Sequence, residues 1–176
     1  MPITLLHGLA PLFLYFRDRR RIDPLALIVS GTFVDLEPLY YFLIGELLDH
    51  RIWHGFATSF TVYPILIAIG VFEVEHFFEG KLWSVYNSLR IRPNQVRYSM
   101  QSIYLCSLIG GMSHVFFDMF THENMPYVIY PLANGNPFYT GQASMIVEIA
   151  LVLLAIYSCL HWLKDQTLRR HPATQN

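Results

Sequence analysis

Long apolar runs alternate with short polar and often basic connectors along this chain. Five runs stand out, at residues 3–16, 24–45, 56–78, 98–121 and 145–163. Runs near 20 residues have the length of a helix that crosses a hydrocarbon core of ~30 Å. The pattern predicts an all-α polytopic membrane bundle of about five transmembrane helices, in one domain over residues 1–176. The first run is the short one: 14 residues rise only ~21 Å, a length that also suits a re-entrant segment. Pro64 is expected to kink the third run. A basic connector from Gly80 to Arg97 carries the turn signal Arg92-Pro93-Asn94. A loop rich in Pro, Asn and Gly spans His122 to Ser144, and neither internal repeats nor low-complexity segments interrupt the pattern.

Composition agrees with the pattern. Apolar residues make up 53 % of the chain and charged residues 14 %, against roughly 25 % charged in a soluble domain. Mean hydropathy is +0.35. A net charge of −1 gives no footprint for nucleic acid. Cys106 and Cys159 both fall inside apolar runs without metal-finger spacing, so they read as small packing residues.

Basic residues set the expected orientation, because loops rich in Lys and Arg stay cytoplasmic. Arg17, Arg19, Arg20 and Arg21 follow the first run; Lys81, Arg90, Arg92 and Arg97 precede the fourth; Lys164, Arg169 and Arg170 follow the fifth. Only Arg51 falls on the other side. The N-terminus and the loops around His50 and Asn134 are thus expected outside a cell (inner, cytoplasmic) membrane and the C-terminus inside. The first run lacks the order of a cleaved signal peptide, since its positive charges follow the apolar stretch.

Polar residues then converge on one face of this map. His7 lies in the outer part of the first run, Asp35 and Glu37 in the second, and His50 and His54 in the outer loop. The stretch Ser113-His-Val-Phe-Phe-Asp-Met-Phe-Thr-His122 places His114, Asp118 and His122 four residues apart near the outer end of the fourth. Residues four apart share a helix face, about 6 Å apart along the axis, so His114 and Asp118 can grip one ion or simply bond to each other. Asp35 and Glu37 would repel one another in lipid unless a cation lay between them. Pro38 disfavours helical geometry at Glu37 and could let both carboxylates turn inward. Singly, His7, His50 and His54 also suit packing or interfacial roles. His76, His161, His171 and the glutamates near the end of the third run read as surface residues.

The ordered set His7, Val34-Asp35-Leu36-Glu37-Pro38, His50-Arg51-Ile52-Trp53-His54 and Ser113-His114 with Asp118 and Thr121 resembles the YdjM-like membrane-bound metal-dependent hydrolases of bacteria and archaea, over roughly residues 1–140. Val34 stands where that family has proline. The second motif is shorter than usual, and Gly55 stands where the family has serine or threonine. Tyr130-Pro131 and Asn136-Pro137-Phe138 resemble the family's closing loop. The His-x-x-x-Asp helix is more remotely similar to zinc-dependent phospholipase C and P1-type nucleases, an analogy of fold and motif.

Nitrogen and carboxylate ligands suit Zn2+, with Mn2+ or Fe2+ as alternatives, in one to three ions. His114, Asp118, Asp35 and His7 are the first ligands expected, followed by His54 and His50. His122, ~12 Å from His114 along an ideal axis, would serve a second metal, the loop or nothing. Asp35 could bridge two metals. Glu37 is the candidate general base or a partner orienting a histidine, and Arg51 the cation for charge developing on a phosphoryl oxygen. The expected activity is hydrolysis of an ester or phosphodiester in a lipid-like or amphipathic substrate at the outer face, with metal-activated water as nucleophile. The loop from Glu123 to Ser144 would cover the site or anchor in the interface. The rival readings are a metal-ion or proton transporter, opposed by the absence of a polar trail toward the cytoplasmic half, and a membrane protein with a vestigial site.

Overall fold

A computed structural model describes residues 4–46, 50–91 and 95–170. The Arg92-Pro93-Asn94 turn and His171 lie outside the described residues. The chain is all-helical, with 72 % helix and no strand among the described residues.

Prolines decide where the apolar runs break. The first run is α1 (Thr4–Leu9), a 3-10 turn (Ala10–Leu12) and α2 (Phe13–Arg17), with Pro11 inside the turn. Asp23 caps α3 (Pro24–Phe33) by accepting the Leu25 N–H at 2.8 Å, and Pro24 occupies the first helical position, where no N–H is needed. The second run is not one helix. Pro38 has no N–H to offer the Val34 carbonyl, which accepts instead from Glu37 at 3.2 Å, and the chain turns at Val34–Asp35 before α4 (Leu36–Leu43). The third run divides in the same way: α5 (Phe56–Phe60) stops at the carbonyl that Pro64 would have bonded, and α6 (Val62–Phe77) starts with Pro64 in its first turn. The break therefore falls at Thr61, not as a kink at Pro64.

Two further expectations are corrected. The connector from Gly80 is helical as α7 (Glu79–Ser88). Glu75, read from sequence as part of a solvated helix end, is 1 % exposed. It lies four residues beyond Val71 and eight beyond Ile67, on the buried face of α6. His76 is exposed, as are Glu73 and Glu79. The remaining helices are α8 (Met100–Thr121), capped by the Ser99 hydroxyl on the Ser102 N–H, and α9 (Gly141–Arg170).

Among the described residues, three helical stretches are long and apolar enough to cross a membrane: Pro24–Leu43 through the α3–α4 turn, Met100–Thr121 and Gly141–Lys164. Among the other expected spans, the first is in three short pieces and α6 has 16 residues. Leu43, Phe60, Ile65, Phe77, Ile146 and Leu153 are exposed on the outside of the bundle, where an aqueous fold would not leave them.

The core is the α3–α8 contact, and small residues permit it. A Cβ on Gly110 would lie 1.9 Å from Ser30 Oγ and 2.8 Å from the Leu27 carbonyl oxygen, and one on Gly31 would lie 3.0 Å from the His7 carbonyl oxygen. Backbones this close bring α1, α3 and α8 together without intervening side chains. Tyr63 of α6 closes the same layer by donating its hydroxyl to the Ser30 carbonyl at 2.7 Å. Around it pack Leu27, Val34, Ile67, Val71, Ile103 and Val115.

Candidate metal centre

The close α1–α3–α8 contact fixes the first histidine. His114 is fully buried on α8, and its Nδ1–H donates to the Gly31 carbonyl at 2.8 Å. That bond leaves Nε2 as the lone-pair nitrogen. Nε2 faces two carboxylates, Asp118 Oδ2 at 3.0 Å and Asp35 Oδ1 at 3.3 Å. Asp35 reaches this position because the Pro38-driven turn at Val34–Asp35 releases it from α3.

His54 repeats the arrangement from a different element. It ends a 3-10 turn (Ile52–His54) whose geometry Glu37 organises. One Glu37 oxygen accepts the Trp53 N–H at 3.1 Å; the other accepts the Arg51 N–H at 3.0 Å and His54 Nδ1–H at 3.0 Å. His54 Nε2 then faces Asp35 Oδ1 at 3.4 Å and Asp118 Oδ2 at 3.7 Å. Glu37 thus orients a histidine, with both oxygens engaged. The segment is clamped from outside by the loop after α8: Phe56 N–H donates to the Val128 carbonyl at 2.9 Å, and a Cβ on Gly55 would lie 2.5 Å from the Tyr127 carbonyl oxygen. Only glycine fits there, which accounts for its presence after His54.

The donor set fits a divalent cation. A tetrahedral ion with bonds of ~2.0–2.1 Å holds its ligand atoms ~3.3 Å apart, and the four separations from His54 and His114 to Asp35 and Asp118 run from 3.0 to 3.7 Å. All four ligand atoms lie within 4.8 Å of one another, and a second such group comprises His50, Asp118 and His122. Asp118 belongs to both. His50 Nε2 is 3.8 Å from Asp118 Oδ2, and His122 Nε2 and His7 Nδ1 are 3.9 and 3.6 Å from Oδ1. The His50 and His122 rings stack at 4.3 Å, and the His7 and His114 rings lie tilted to one another with centroids 4.3 Å apart. Both nitrogens of His7, Nε2 of His114 and Oδ1 of Asp118 are buried without a hydrogen-bond partner. Buried polar atoms are seldom left so, and a bound cation would engage one nitrogen of each ring and a carboxylate oxygen.

Electrostatics outside the spans follow the same geometry. Burial, with His54 beside it, pushes His50 down to about 3, and burial lowers His122. Burial acts to lower His54 too, but its bonds to Asp35 and Glu37 outweigh that and raise it. His50 and His122 are therefore neutral, the form that ligates a metal.

Every residue expected as a ligand, His7, Asp35, His50, His54, His114, Asp118 and His122, comes into this one cluster. Most are closed off; the Asp35 and His122 side chains, each 21 % exposed, form its open edge. The Arg51 guanidinium points elsewhere, pairing with Glu46 and lying 3.7 Å over the Tyr41 ring. Two contributors were not expected from sequence. The Gly31 carbonyl carries no side-chain signature. Asn136 donates its amide to the Met119 and His122 carbonyls at 2.7 and 2.6 Å, closing the end of α8 and holding the loop against it.

No curated protein and no solved structure matches the chain. A family model matches residues 1–133, a stretch that includes the whole cluster and ends before α9. With most of its length so matched, the chain belongs to the family described as a domain of unknown function, DUF4184.

Proposed function

We propose that this chain is an integral membrane metal-dependent hydrolase of the YdjM-like kind, acting on an ester or phosphodiester of a lipid-like or amphipathic substrate. The observation that carries this reading is the pair of buried histidines whose free Nε2 atoms face the same two carboxylates at tetrahedral spacings. Asp35, His54, His114 and Asp118 would hold one ion, and His50, His122 and Asp118, with His7 beside them, would hold a second. Zn2+ suits the donors best, with Mn2+ or Fe2+ as alternatives. A divalent cation bound there supplies Lewis-acid polarisation of the scissile group and activation of water.

The protein's own residues do the rest. Glu37 holds His54 in one tautomer and one orientation. The exposed edge at Asp35 and His122 is where a substrate enters, and the apolar surface of α4 beside Asp35 is where a lipid tail lies. Arg51 meets anionic charge at the rim, exchanging Glu46 for the substrate. Five membrane passes complete the picture, the first through Thr4–Arg17 and the third through Phe56–Phe77. The distribution of Lys and Arg supports a site on the outer face of the cell membrane.

The test is a screen of phosphodiester and lipid ester substrates with purified protein in nanodiscs, before and after zinc loading. Zinc-dependent product release that His114→Asn abolishes is the expected result. Metal-dependent ion flux in proteoliposomes without hydrolysis would make the protein a transporter instead, and bound metal with neither activity would make the site vestigial.

A further inference from the structure

A second buried polar cluster occupies the far end of the bundle. Asp23 caps the start of α3, 12 residues before Asp35, which is ~18 Å along a helix axis. Glu75 comes in near the end of α6, and the two carboxyl groups are 0 % and 1 % exposed. Each has one satisfied oxygen: Asp23 Oδ1 accepts the Leu25 N–H at 2.8 Å, and Glu75 Oε2 accepts the Tyr98 N–H at 2.9 Å. The other oxygens, Asp23 Oδ2 and Glu75 Oε1, have no donor. With α3 packed against α6, the two carboxyl groups are close enough to act on each other electrostatically. The Tyr86 hydroxyl, close enough to feel both charges, is likewise buried without a partner.

Hydroxyl and thiol groups surround the pair. Tyr15 of α2 donates its hydroxyl to the Ile91 carbonyl, and Tyr98, just before α8, donates to the Arg19 carbonyl. The Arg19 guanidinium lies 5.6 Å over the Tyr15 ring. Cys106 of α8 takes the Asp23 N–H on its sulfur at 3.2 Å. Among the described residues no Lys, Arg or His is ion-paired with Asp23 or Glu75.

We propose that Asp23 and Glu75 bind one proton between them, a carboxyl–carboxylate pair that ties the start of α3 to the end of α6 and, through the Tyr98 N–H, to the entry of α8. Two ionised carboxylates held together out of water repel each other and lack the donors each needs. One shared proton removes the repulsion and gives both unpaired oxygens a partner. Burial, which raises the Asp23 carboxyl above its ordinary range, acts in the same direction. The pair titrates as a unit, and losing its proton places two negative charges face to face where α3 and α6 meet. The site is independent of the metal centre.

The experiment is an infrared pH titration of the full chain in nanodiscs, following the carbonyl stretch of protonated carboxyl groups. Wild type should show such a band at neutral pH, lost as pH rises, and both Glu75→Gln and Asp23→Asn should remove it. Glu75→Gln retains a donor for Asp23, so it should fold, bind zinc in the wild-type ratio, and keep its thermal stability at alkaline pH where wild type loses it. A spectrum in which neither substitution changes the protonated-carboxyl band would overturn the proposal. So would elemental analysis finding a cation, Na+, K+, Mg2+ or Ca2+, that is bound by wild type and absent from Glu75→Gln.

Discussion

Replacing Glu37 with Gln probes how the centre is built, because it changes one charge and almost no volume at a position that touches no second carboxylate of the cluster. Glu37 accepts three hydrogen bonds, from the Arg51 and Trp53 N–H groups and from His54 Nδ1. A glutamine carbonyl can keep one or two of these, but its amide nitrogen must then face a donor. Facing Trp53 N–H, it leaves a part-buried donor of the His54 turn unsatisfied at ~1–3 kcal/mol. Facing His54, it forces the ring into the other tautomer, with the proton on Nε2, the atom aimed at Asp35 and Asp118. Either outcome weakens a ligand without removing it. Loss of an outer-sphere partner of this kind lowers metal affinity 10–100-fold, or ~1.4–2.8 kcal/mol. Competition of purified wild type and Glu37→Gln against a chelator of known zinc affinity measures it directly. An affinity unchanged within about twofold would show that Glu37 does not orient a ligand, and the carboxylate–histidine reading of His54 would fall.

Four further outcomes follow from the same geometry. Gly110→Ala puts a methyl group 1.9 Å from Ser30 Oγ and 2.8 Å from backbone, so it should cost ~1–3 kcal/mol or more by overpacking and, by moving His114 off Gly31, lower metal content; an unchanged melting temperature would contradict the α3–α8 packing. Gly55→Ala, 2.5 Å from the Tyr127 carbonyl oxygen, should weaken zinc binding while leaving α-helical circular dichroism intact, and wild-type affinity would show that the loop does not clamp His54. Because bonds to Asp35 and Glu37 raise His54, a metal must displace its proton, so affinity should increase with pH by about tenfold per unit for each proton released; calorimetry in two buffers of different ionisation heat reads the release, and none between about pH 6 and 8 would contradict it. Asn136→Ala, which frees the Met119 and His122 carbonyls, should loosen the loop after α8 and reduce thermal stability by ~1–3 kcal/mol; a change below about 0.5 kcal/mol would mean the contact is idle.

The site was more legible in the sequence than the fold. His114 and Asp118 declared themselves by spacing, and Asp35 by being a carboxylate in an apolar run, because burying such groups is costly enough to demand a reason. The prolines are visible in the sequence, but where each one breaks a helix is set by the carbonyl four residues before it. Pro64 ends the helix before it, since the missing bond falls on the Phe60 carbonyl four residues earlier, and Pro38 acts on Val34 in the same way. Glu75 was lost among Glu73, His76 and Glu79, three polar neighbours that do face outward; its register with Ile67 and Val71 was the available signal. Nothing in the sequence marks the Gly31 carbonyl as the partner of His114. That contact depends on how closely two backbones approach, a tertiary fact spread over Gly8, Ser30, Gly31 and Gly110.

Seven side chains gather about Asp118, so the metal content of the centre should depend on that carboxylate. The most direct measurement is metal stoichiometry of wild type and Asp118→Asn, purified side by side in detergent, loaded with zinc and passed through the same desalting step. One to two tightly held ions per chain are expected in wild type and essentially none in Asp118→Asn, since both ligand groups share that carboxylate. Equal metal content in the two proteins, or none in wild type, would contradict this expectation.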